Sequence, residues 1–505
     1  MIASILSKFQ SFRNCLFQLF PYRAGATMDL IDTVAATTVD SIVKLSMSDL
    51  FRRKYSSLTD ALSSLFRTNI KTPPTPEELK KQTLQITQLL AQECAHSQEE
   101  QAFALFAIDC TANPRIYANK VDDRSFVHTP NHIPGQDPIT VGHEYSVIVY
   151  LPNQTEDQNL HWVVPLSVKR VESHQFGPQV GFTQLDEVSN HTVFKKYFCI
   201  AVADSAYSTR SGLIGVSKSP HVVQVIRMRG NRRLYRLPPT NRKSKRGRPQ
   251  IYGEELLLNN PSQPDIEEET TSIGSKGRKY HILLERWNDV IMHGSEEERT
   301  HEHPFDVLRV TVKDSKGKTV YQRPLWIMIA GVKRREVKSK TAYHSYGRRY
   351  DIEHFFRFGK QKLGLVNYQT CETRHEENWY WIGILAYNML YHARQLTQSQ
   401  TYPWEKKRVQ VITGKERPSQ TQRDYGRIIR GIGTPAGIPK PRGKSPGRRL
   451  GCKSGIRPNR PYIRKSAQAN QPESATPKIK SKQKKPKYAR MQREWSKDRP
   501  PPTRC

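Results

Sequence analysis

The sequence lacks the cysteine patterns of disulfide-bonded and zinc-binding proteins. It has seven cysteines, an odd number, and they are scattered without a CxxC pair or a His/Cys cluster at zinc-ligand spacing. Secreted disulfide frameworks and zinc fingers depend on such pairs and clusters. The cysteine usage therefore favours a reducing compartment, and we expect a cytoplasmic protein.

Long apolar runs are missing as well. No stretch approaches the roughly 20 apolar residues of a membrane span. The N-terminal segment MIASILSKFQSFRNCLFQLF is interrupted by Lys8 and Arg13, whereas a signal peptide has an uninterrupted apolar run. We interpret this segment as an amphipathic helix, with Met28 as an alternative start that would leave residues 1–27 without a role. We expect no membrane partner.

Acidic residues are scarce relative to basic ones. Lys and Arg total 81 against 47 Asp and Glu, which gives a net charge of +34. Such a charge predicts a polyanionic partner, with nucleic acid ahead of an anionic membrane. Residues 401–505 hold 29 basic and 6 acidic residues, so they carry +23 of the total. We predict a basic, mostly disordered tail that binds DNA phosphates without sequence preference, or else a flexible solubilising tail.

The length and the periodicity of the chain predict several regions. A single core rarely exceeds about 250–300 residues, and helical spacing at the N-terminus gives way to strand-like segments. The helical unit is either a DNA reader or a packing unit. The predicted regions are a helical N-terminal domain (1–98), a first part of an α/β core (99–211), a β-rich insertion (212–330), a second part of the core (331–400) and the tail (401–505).

Two apolar strands each end on an aspartate. AFALFAID ends on Asp109, and KYFCIAVAD ends on Asp204. A lone aspartate at such a place is commonly a turn former or a helix cap. Glu353 in the segment YGRRYDIEHFFRFGK adds a third acid, and phosphoryl transfer by two divalent ions needs carboxylates that reach both metals. The three acids together predict a site for two Mg²⁺ or Mn²⁺ ions.

The residues around Glu353 have helical spacing. Tyr346, Arg349, Glu353 and Lys360 follow one another at steps of three, four and seven. On a helix these steps bring a phenol, two cations and a carboxylate onto one face. The alternative is a solvated helix face with an Arg–Glu ion pair.

With these motifs the chain resembles the DDE transposases of the insertion-sequence-four superfamily, which share a Tyr-Arg-Glu-Lys signature. The likeness includes Thr111 two residues after Asp109, the run Asp204-Ser-Ala-Tyr207 and the complete signature. It covers about residues 100–400, and the tail segment PRGKSPGRRLG is also similar. The resemblance implies an RNase H-like mixed sheet flanked by helices, with a β-rich insertion between the second aspartate and the glutamate.

The resemblance also implies a role for each matching residue. Asp109, Asp204 and Glu353 would be the catalytic metal ligands. The residues expected to grip phosphates are Tyr346, Arg349, Lys360 and, one turn beyond Glu353, Arg357. Trp326 lies where related enzymes place a tryptophan that stacks on a flipped base, although a core tryptophan is the alternative and Trp287 is a weaker rival.

The run Lys245-Arg246-Gly247-Arg248-Pro249 resembles an AT-hook. In such a motif extended arginines, here Arg246 and Arg248, enter the narrow minor groove of A/T-rich DNA. Because the match is short, a chance charged loop in a basic protein is the alternative.

The function implied by the resemblance is cleavage and joining of the DNA ends of an insertion sequence. The expected partners are double-stranded DNA with terminal inverted repeats, target DNA and a second copy of the chain, at the nucleoid. Three rival hypotheses remain: a catalytically inactive transposase-derived DNA-binding protein, an RNase H-like structure-specific nuclease such as a junction resolvase, and a basic packaging protein. The third leaves the acids at the strand ends without a use.

Overall fold

The computed structural model describes most of the chain up to residue 464. The described residues are 2–67, 74–98, 102–128, 137–153, 160–238, 250–273, 277–295, 297–397, 416–441, 450–452 and 455–464. Contacts join Met1–Lys465 into one compact unit, so the regions that the sequence divides at 98, 211 and 330 share one body. Within the described residues no helix combines the length and the apolarity that crossing a bilayer requires.

Twelve strands in the described residues form one mixed sheet. They are β1 (Ala104–Pro114), β2 (Ser125–His128), β3 (Ile139–Tyr150), β4 (Val164–Val171), β5 (Cys199–Ala203), β6 (Val222–Met228), β7 (Arg233–Arg236), β8 (Glu255–Leu257), β9 (Ile266–Ile273), β10 (Lys279–Met292), β11 (Phe305–Asp314) and β12 (Leu325–Ala330). Their order is β2-β3-β1-β5-β6-β12-β11-β10-β7-β8, with β4 also paired to β3 and β9 also paired to β10.

Five of these strands form the RNase H-like part of the sheet. β3 is antiparallel to β1 and β4, whereas β5 is parallel to both β1 and β6. All of β5 and the first half of β1 are buried, which is typical of parallel strands covered by helices on both faces. The predicted α/β fold with a mixed sheet flanked by helices is confirmed.

The β-rich insertion is present, but its boundary differs from the prediction. β6 was assigned to the insertion at 212–330, yet it pairs in parallel with β5 and completes the core. Its residues Val222–Ile226 are all buried and, apart from Gln224, apolar, which fits a strand buried on both faces. β12 then pairs antiparallel with β6, so the insertion strands extend the core sheet instead of forming a sheet of their own.

Eleven helices are found in the described residues. They are α1 (Ile2–Gln18), α2 (Ala24–Ala36), α3 (Ile42–Leu45), α4 (Tyr55–Ser64), α5 (Pro76–Gln98), α6 (Gly177–Ser189), α7 (Arg210–Val216), α8 (Ser339–Gly347), α9 (Tyr350–Gln361), α10 (Thr373–Ala393) and α11 (Pro418–Ile432). α10 is buried along most of its length and contacts both the N-terminal helices and β4.

The N-terminal helices belong to the same core as the sheet. The side chain of Asn378 in α10 donates to the carbonyl oxygen of Leu62 at 2.7 Å, and Thr87 in α5 donates to the carbonyl oxygen of Leu166 in β4 at 3.1 Å. The region is helical as predicted, but packing against α10 and β4 accounts for its apolar faces. Its use as a DNA reader stays a prediction.

α1 is held in place by a buried ion pair. Arg13 donates to both carboxylate oxygens of Asp32 in α2, at 2.6 and 2.8 Å, and the hydroxyl of Tyr425 in α11 donates to the same carboxylate at 2.9 Å. All three side chains are buried. A chain that started at Met28 would leave Asp32 buried without this partner, which is costly.

The predicted disordered tail is wrong for residues 416–441. α11 packs against α2 and α10, with Tyr425, Ile428 and Ile429 buried. Further along, Ile463 pairs in parallel with Ser125 at the start of β2. An apolar stripe on α11 supplies buried surface for this region. Arg423 and Arg430 are exposed, and the buried Asp424 pairs with Arg427. Residues 465–505 lie outside the described residues.

Candidate active site

Asp109 and Asp204 lie side by side on neighbouring parallel strands. The pairing of β1 with β5 joins each residue to the one 95 positions later, from Ala104–Cys199 to Ala107–Val202. Asp204 follows Asp109 by the same 95 positions. Neighbouring strands are about 4.8 Å apart, so the register brings the two aspartates to adjacent positions at the end of β5.

The two carboxylates differ in how the backbone holds them. Asp109 accepts a hydrogen bond from the backbone N–H of Cys110 at 2.8 Å. Asp204 caps the helical turn Ser205–Tyr207 by accepting from the N–H of Ala206 at 2.8 Å. Burial, together with the nearby charge of Asp204, raises the pKa of Asp109 to about 7. Because burial and the neighbouring charge both disfavour the ionised form of Asp109, a bound cation would stabilise it.

Glu353 reaches this site through an arginine. It lies in the first turn of α9, and its carboxylate binds Nη2 of Arg349 at 2.6 Å. Nη1 of the same guanidinium is 3.6 Å from the carboxylate of Asp109. Arg349 is buried, whereas the side chain of Glu353 is 43% exposed. One guanidinium therefore spans two of the three predicted acids.

The spacing predicted one helix through the signature residues, and the structure has two, α8 and α9, separated by Arg348 and Arg349, which both keep helical backbone angles. α8 ends at Gly347 and α9 begins at Tyr350, with the N–H of Arg349 bonded to the carbonyl oxygen of Tyr346 three residues back. Arg348 holds the junction, because its side chain donates to Pro152 and to Asp351.

The other signature residues still converge on the acids. The guanidinium carbon of Arg349 lies 5.8 Å from the ring centroid of Tyr346, which is buried. Burial lowers the pKa of Lys360, while the charge of Asp109 acts in the opposite direction, so Lys360 is within electrostatic reach of that carboxylate. Arg357 is exposed on α9. Tyr346, Arg349 and Lys360 thus lie close to the acids.

The donor set fits divalent metal ions. Mg²⁺ and Mn²⁺ prefer carboxylate oxygens, and Asp109 and Asp204 present two of them side by side. Within the described part of the chain, no three His, Cys, Asp or Glu side chains stand close enough to hold one ion, and Glu353 is bound to Arg349 instead. The guanidinium stands where positive charge is needed.

Replacement of Arg349 should separate metal binding from catalysis. We expect Arg349→Gln to bind Mn²⁺ about tenfold more tightly than the wild type in the absence of DNA, because a competing cation near the site is removed. In an enzyme of the kind that the resemblance implies, DNA cutting should nevertheless fall, because Arg349 would no longer bind phosphate. Calorimetric titration with Mn²⁺ measures the first effect. Arg357→Gln is the control, because it removes the same charge from an exposed position of α9 and should leave Mn²⁺ affinity unchanged. Equal Mn²⁺ affinities of the wild type and both variants would show that Arg349 does not compete with the metal.

The predicted base-stacking role of Trp326 does not fit its surroundings. Trp326 is 4% exposed in β12, where it is paired with Met228 and Arg309. Its ring packs 5.5 Å from that of Trp287, which is fully buried and donates to the carbonyl oxygen of Ser262. Burial on both faces of the strand leaves no open ring face for a base, so the alternative of a core tryptophan describes this residue. Arg246 and Arg248 lie outside the described residues.

Sequence reasoning missed one cation beside the site. Arg227 is exposed near the end of β6, and its charge acts on Tyr346. Its signal was weak, because the segment VVQVIRMRG is a strand with arginines at its end, a common arrangement in a basic chain. Only the pairing of β6 with β5 reveals that this end borders the acids.

Comparison with known proteins identifies the family. The chain matches the family described as DDE superfamily endonuclease over residues 15–288, more than half of its length. The matched range includes Asp109 and Asp204 and ends before Glu353. Comparison with curated proteins gives no match. The adjacent aspartates thus fall within a family match that spans most of the sheet, and the chain belongs to the DDE superfamily endonucleases.

Proposed function

We propose that the protein is a transposase that cuts and rejoins the DNA ends of its own insertion sequence, like members of the insertion-sequence-four superfamily. As a DDE superfamily endonuclease, the protein is an enzyme that acts on DNA. Enzymes of this family generally use divalent metals such as Mg²⁺. The observation that carries the proposal is the contact of Arg349, a signature residue, with both Asp109 and Glu353.

The residues of the site have distinct tasks in this reaction. Asp109, Asp204 and Glu353 would hold two Mg²⁺ or Mn²⁺ ions, which when bound activate a water and stabilise the attacking and leaving oxygens. Arg349 exchanges its carboxylate partners for phosphate oxygens, since a guanidinium binds either in the same forked geometry. Lys360 adds a second cation beside Asp109, and the ring of Tyr346 supports Arg349.

The chemistry consists of two in-line displacements at one site. Water first attacks the phosphorus at the element end, the bond to the 3′ oxygen breaks, and a 3′ hydroxyl is released. This hydroxyl then attacks a phosphodiester of the opposite strand, which gives a hairpin, or of target DNA, and displaces its 3′ oxygen. No covalent enzyme intermediate is needed.

The partners follow from the same proposal. The substrates are double-stranded DNA with terminal inverted repeats and target DNA, bound at the nucleoid in the cytoplasm by a homodimer on paired ends. Arg246 and Arg248 would add minor-groove contacts, and the cations of the tail would add affinity that weakens with salt.

The test uses DNA that carries the sequences flanking the coding region. The purified full-length protein is incubated with these end fragments, a labelled target and Mg²⁺ or Mn²⁺, and the products are resolved on denaturing gels. Nicks at the element boundary followed by joined products support the proposal. Binding without cutting would favour an inactive DNA-binding protein, and cutting of branched junctions without joining would favour a structure-specific nuclease.

A further inference from the structure

One side chain outside the signature holds the helix that carries Glu353. His161 lies in the segment between β3 and β4, and its Nδ1–H donates to the carboxylate of Asp351 at 2.7 Å. Its ring also stacks on that of His354, with centroids 3.9 Å apart and planes 18° apart. Asp351 is two residues before Glu353, and His354 is one residue after it. His161 therefore contacts α9 on both sides of the glutamate.

The backbone of His161 is fixed in an uncommon conformation. Its φ is +52°, in the left-handed region that residues with a Cβ rarely adopt. Such a conformation persists only when surrounding contacts determine it, and residues of this kind cluster at functional sites. The hydrogen bond to Asp351 and the stacking on His354 fix the side chain of His161 in this conformation.

A second contact joins the same two segments. Arg348 donates from Nε to Asp351 at 2.7 Å and from Nη2 to the carbonyl oxygen of Pro152, just after β3, at 3.1 Å. Asp351 is buried and accepts from both Arg348 and His161. Two residues between β3 and β4, Pro152 and His161, thus contact the start of α9.

These contacts bear on Glu353, whose carboxylate is bound by Arg349 in the structure. If that ion pair opens, the position of Glu353 depends on the placement of α9. Groups that orient a metal ligand without touching the metal commonly change metal affinity by about 10–100-fold when they are removed. His161 is placed to act in this way.

We propose that His161 is a positioning residue that fixes α9 so that Glu353 meets Asp109 and Asp204 at the metal site. The inference rests on the proposed function, because it assumes that Glu353 is a metal ligand. It assigns His161 no contact with DNA or metal.

Three substitutions separate the two contacts of His161. His161→Asn keeps a side-chain N–H near Asp351 and tolerates a positive φ, but it loses the ring. His161→Phe keeps a ring over His354 and loses the hydrogen bond. His161→Leu loses both contacts. His174→Leu is the matched control, because His174 is 68% exposed and pairs only with Glu172 among the described residues.

The experiment measures Mn²⁺ binding by electron paramagnetic resonance on the DNA-free full-length protein, together with the Mn²⁺ concentration that gives half-maximal cutting. We expect His161→Leu to bind Mn²⁺ about tenfold more weakly and to shift half-maximal cutting by the same factor. His161→Asn and His161→Phe should fall between Leu and the wild type, and His174→Leu should match the wild type.

The outcomes separate the inference from the function on which it rests. If wild type and His161→Leu bind Mn²⁺ within twofold of each other, His161 does not position Glu353, and a lowered melting temperature alone would mark it as merely structural. If Mn²⁺ affinity falls as expected but the wild type cuts no DNA, the inference holds and the proposed function fails. Absence of Mn²⁺ binding by the wild type overturns both.

Discussion

Asp204→Asn should abolish DNA cutting while making the metal-free protein more stable. Loss of a ligand that supports several kcal/mol of transition-state stabilisation should slow cutting by roughly a thousandfold or more. The asparagine can still cap the turn at Ala206 through its side-chain oxygen. Without the second negative charge beside Asp109, unfolding should require about 1 kcal/mol more. Single-turnover cutting assays and urea unfolding in EDTA measure the two effects.

The opposite signs of these two effects make the prediction specific. A substitution that merely damaged the fold would lower both activity and stability. Asp40→Asn is the control, because Asp40 is 63% exposed and its described ion pair is with Lys44, so both activity and stability should stay near the wild type. Cutting by Asp204→Asn within tenfold of the wild-type rate would remove Asp204 from the catalytic set.

The two aspartates could be predicted because their signal is local. Each ends an apolar run, and the interval of 95 residues between them equals the offset of the β1–β5 pairing. The expectation that the first strand ends at Asp109 is wrong, because β1 continues to Pro114. The position of Glu353 relative to them was implied by the resemblance alone, since a separation of 149 residues contains no physical information on proximity. The spacing of Arg349 and Glu353 offered their ion pair as an alternative, but the contact of Arg349 with Asp109 could not be foreseen.

The features that sequence reasoning missed depend on long-range packing. The break between α8 and α9 contains no proline, and Arg348 within it contacts Pro152, which lies almost 200 residues earlier. Trp326 lies in a strand that is covered on both faces. Such a strand does not alternate apolar and polar residues, so its sequence cannot show which side chains face outward. Neither feature leaves a mark within a short window of sequence.

The helix in the tail was missed for a different reason. Its signal was present, because Tyr425, Ile428 and Ile429 follow one another at helical spacing and all three are buried. The surrounding cations, prolines and glycines dominated the composition and predicted disorder. The buried Arg13–Asp32 pair that receives Tyr425 lies almost 400 residues earlier in the chain, and its contribution could be found only in the folded structure.

Glu376→Gln should destabilise the fold more than any substitution of a surface carboxylate. Glu376 in α10 is buried and accepts from Nε of Arg115 at 2.7 Å, from His143 at 2.9 Å and from the hydroxyl of Tyr145 at 2.9 Å. Arg115 follows β1, so the cluster ties α10 to the strand that carries Asp109. The glutamine leaves the guanidinium buried without a counter-charge, which costs about 3–5 kcal/mol. Urea unfolding at pH 7 measures the loss.

The pH dependence of the wild type provides the second half of this prediction. Burial alone would raise the pKa of Glu376, but hydrogen bonds from His143 and Tyr145 and the charge of Arg115 outweigh it and lower the pKa to about 2. A lowered carboxyl pKa adds stability that is complete above the pKa of the unfolded chain, near 4.5, and is lost as the pH falls from there towards 2. The difference in free energy of unfolding between wild type and Glu376→Gln should therefore be largest at pH 7 and should decrease below pH 4.5.

Glu336→Gln is the control, because Glu336 is 57% exposed and paired with Lys333. This substitution should change stability by less than about 1 kcal/mol at either pH. If both variants lost the same small amount of unfolding free energy relative to the wild type, the guanidinium of Arg115 would have found another partner or solvent.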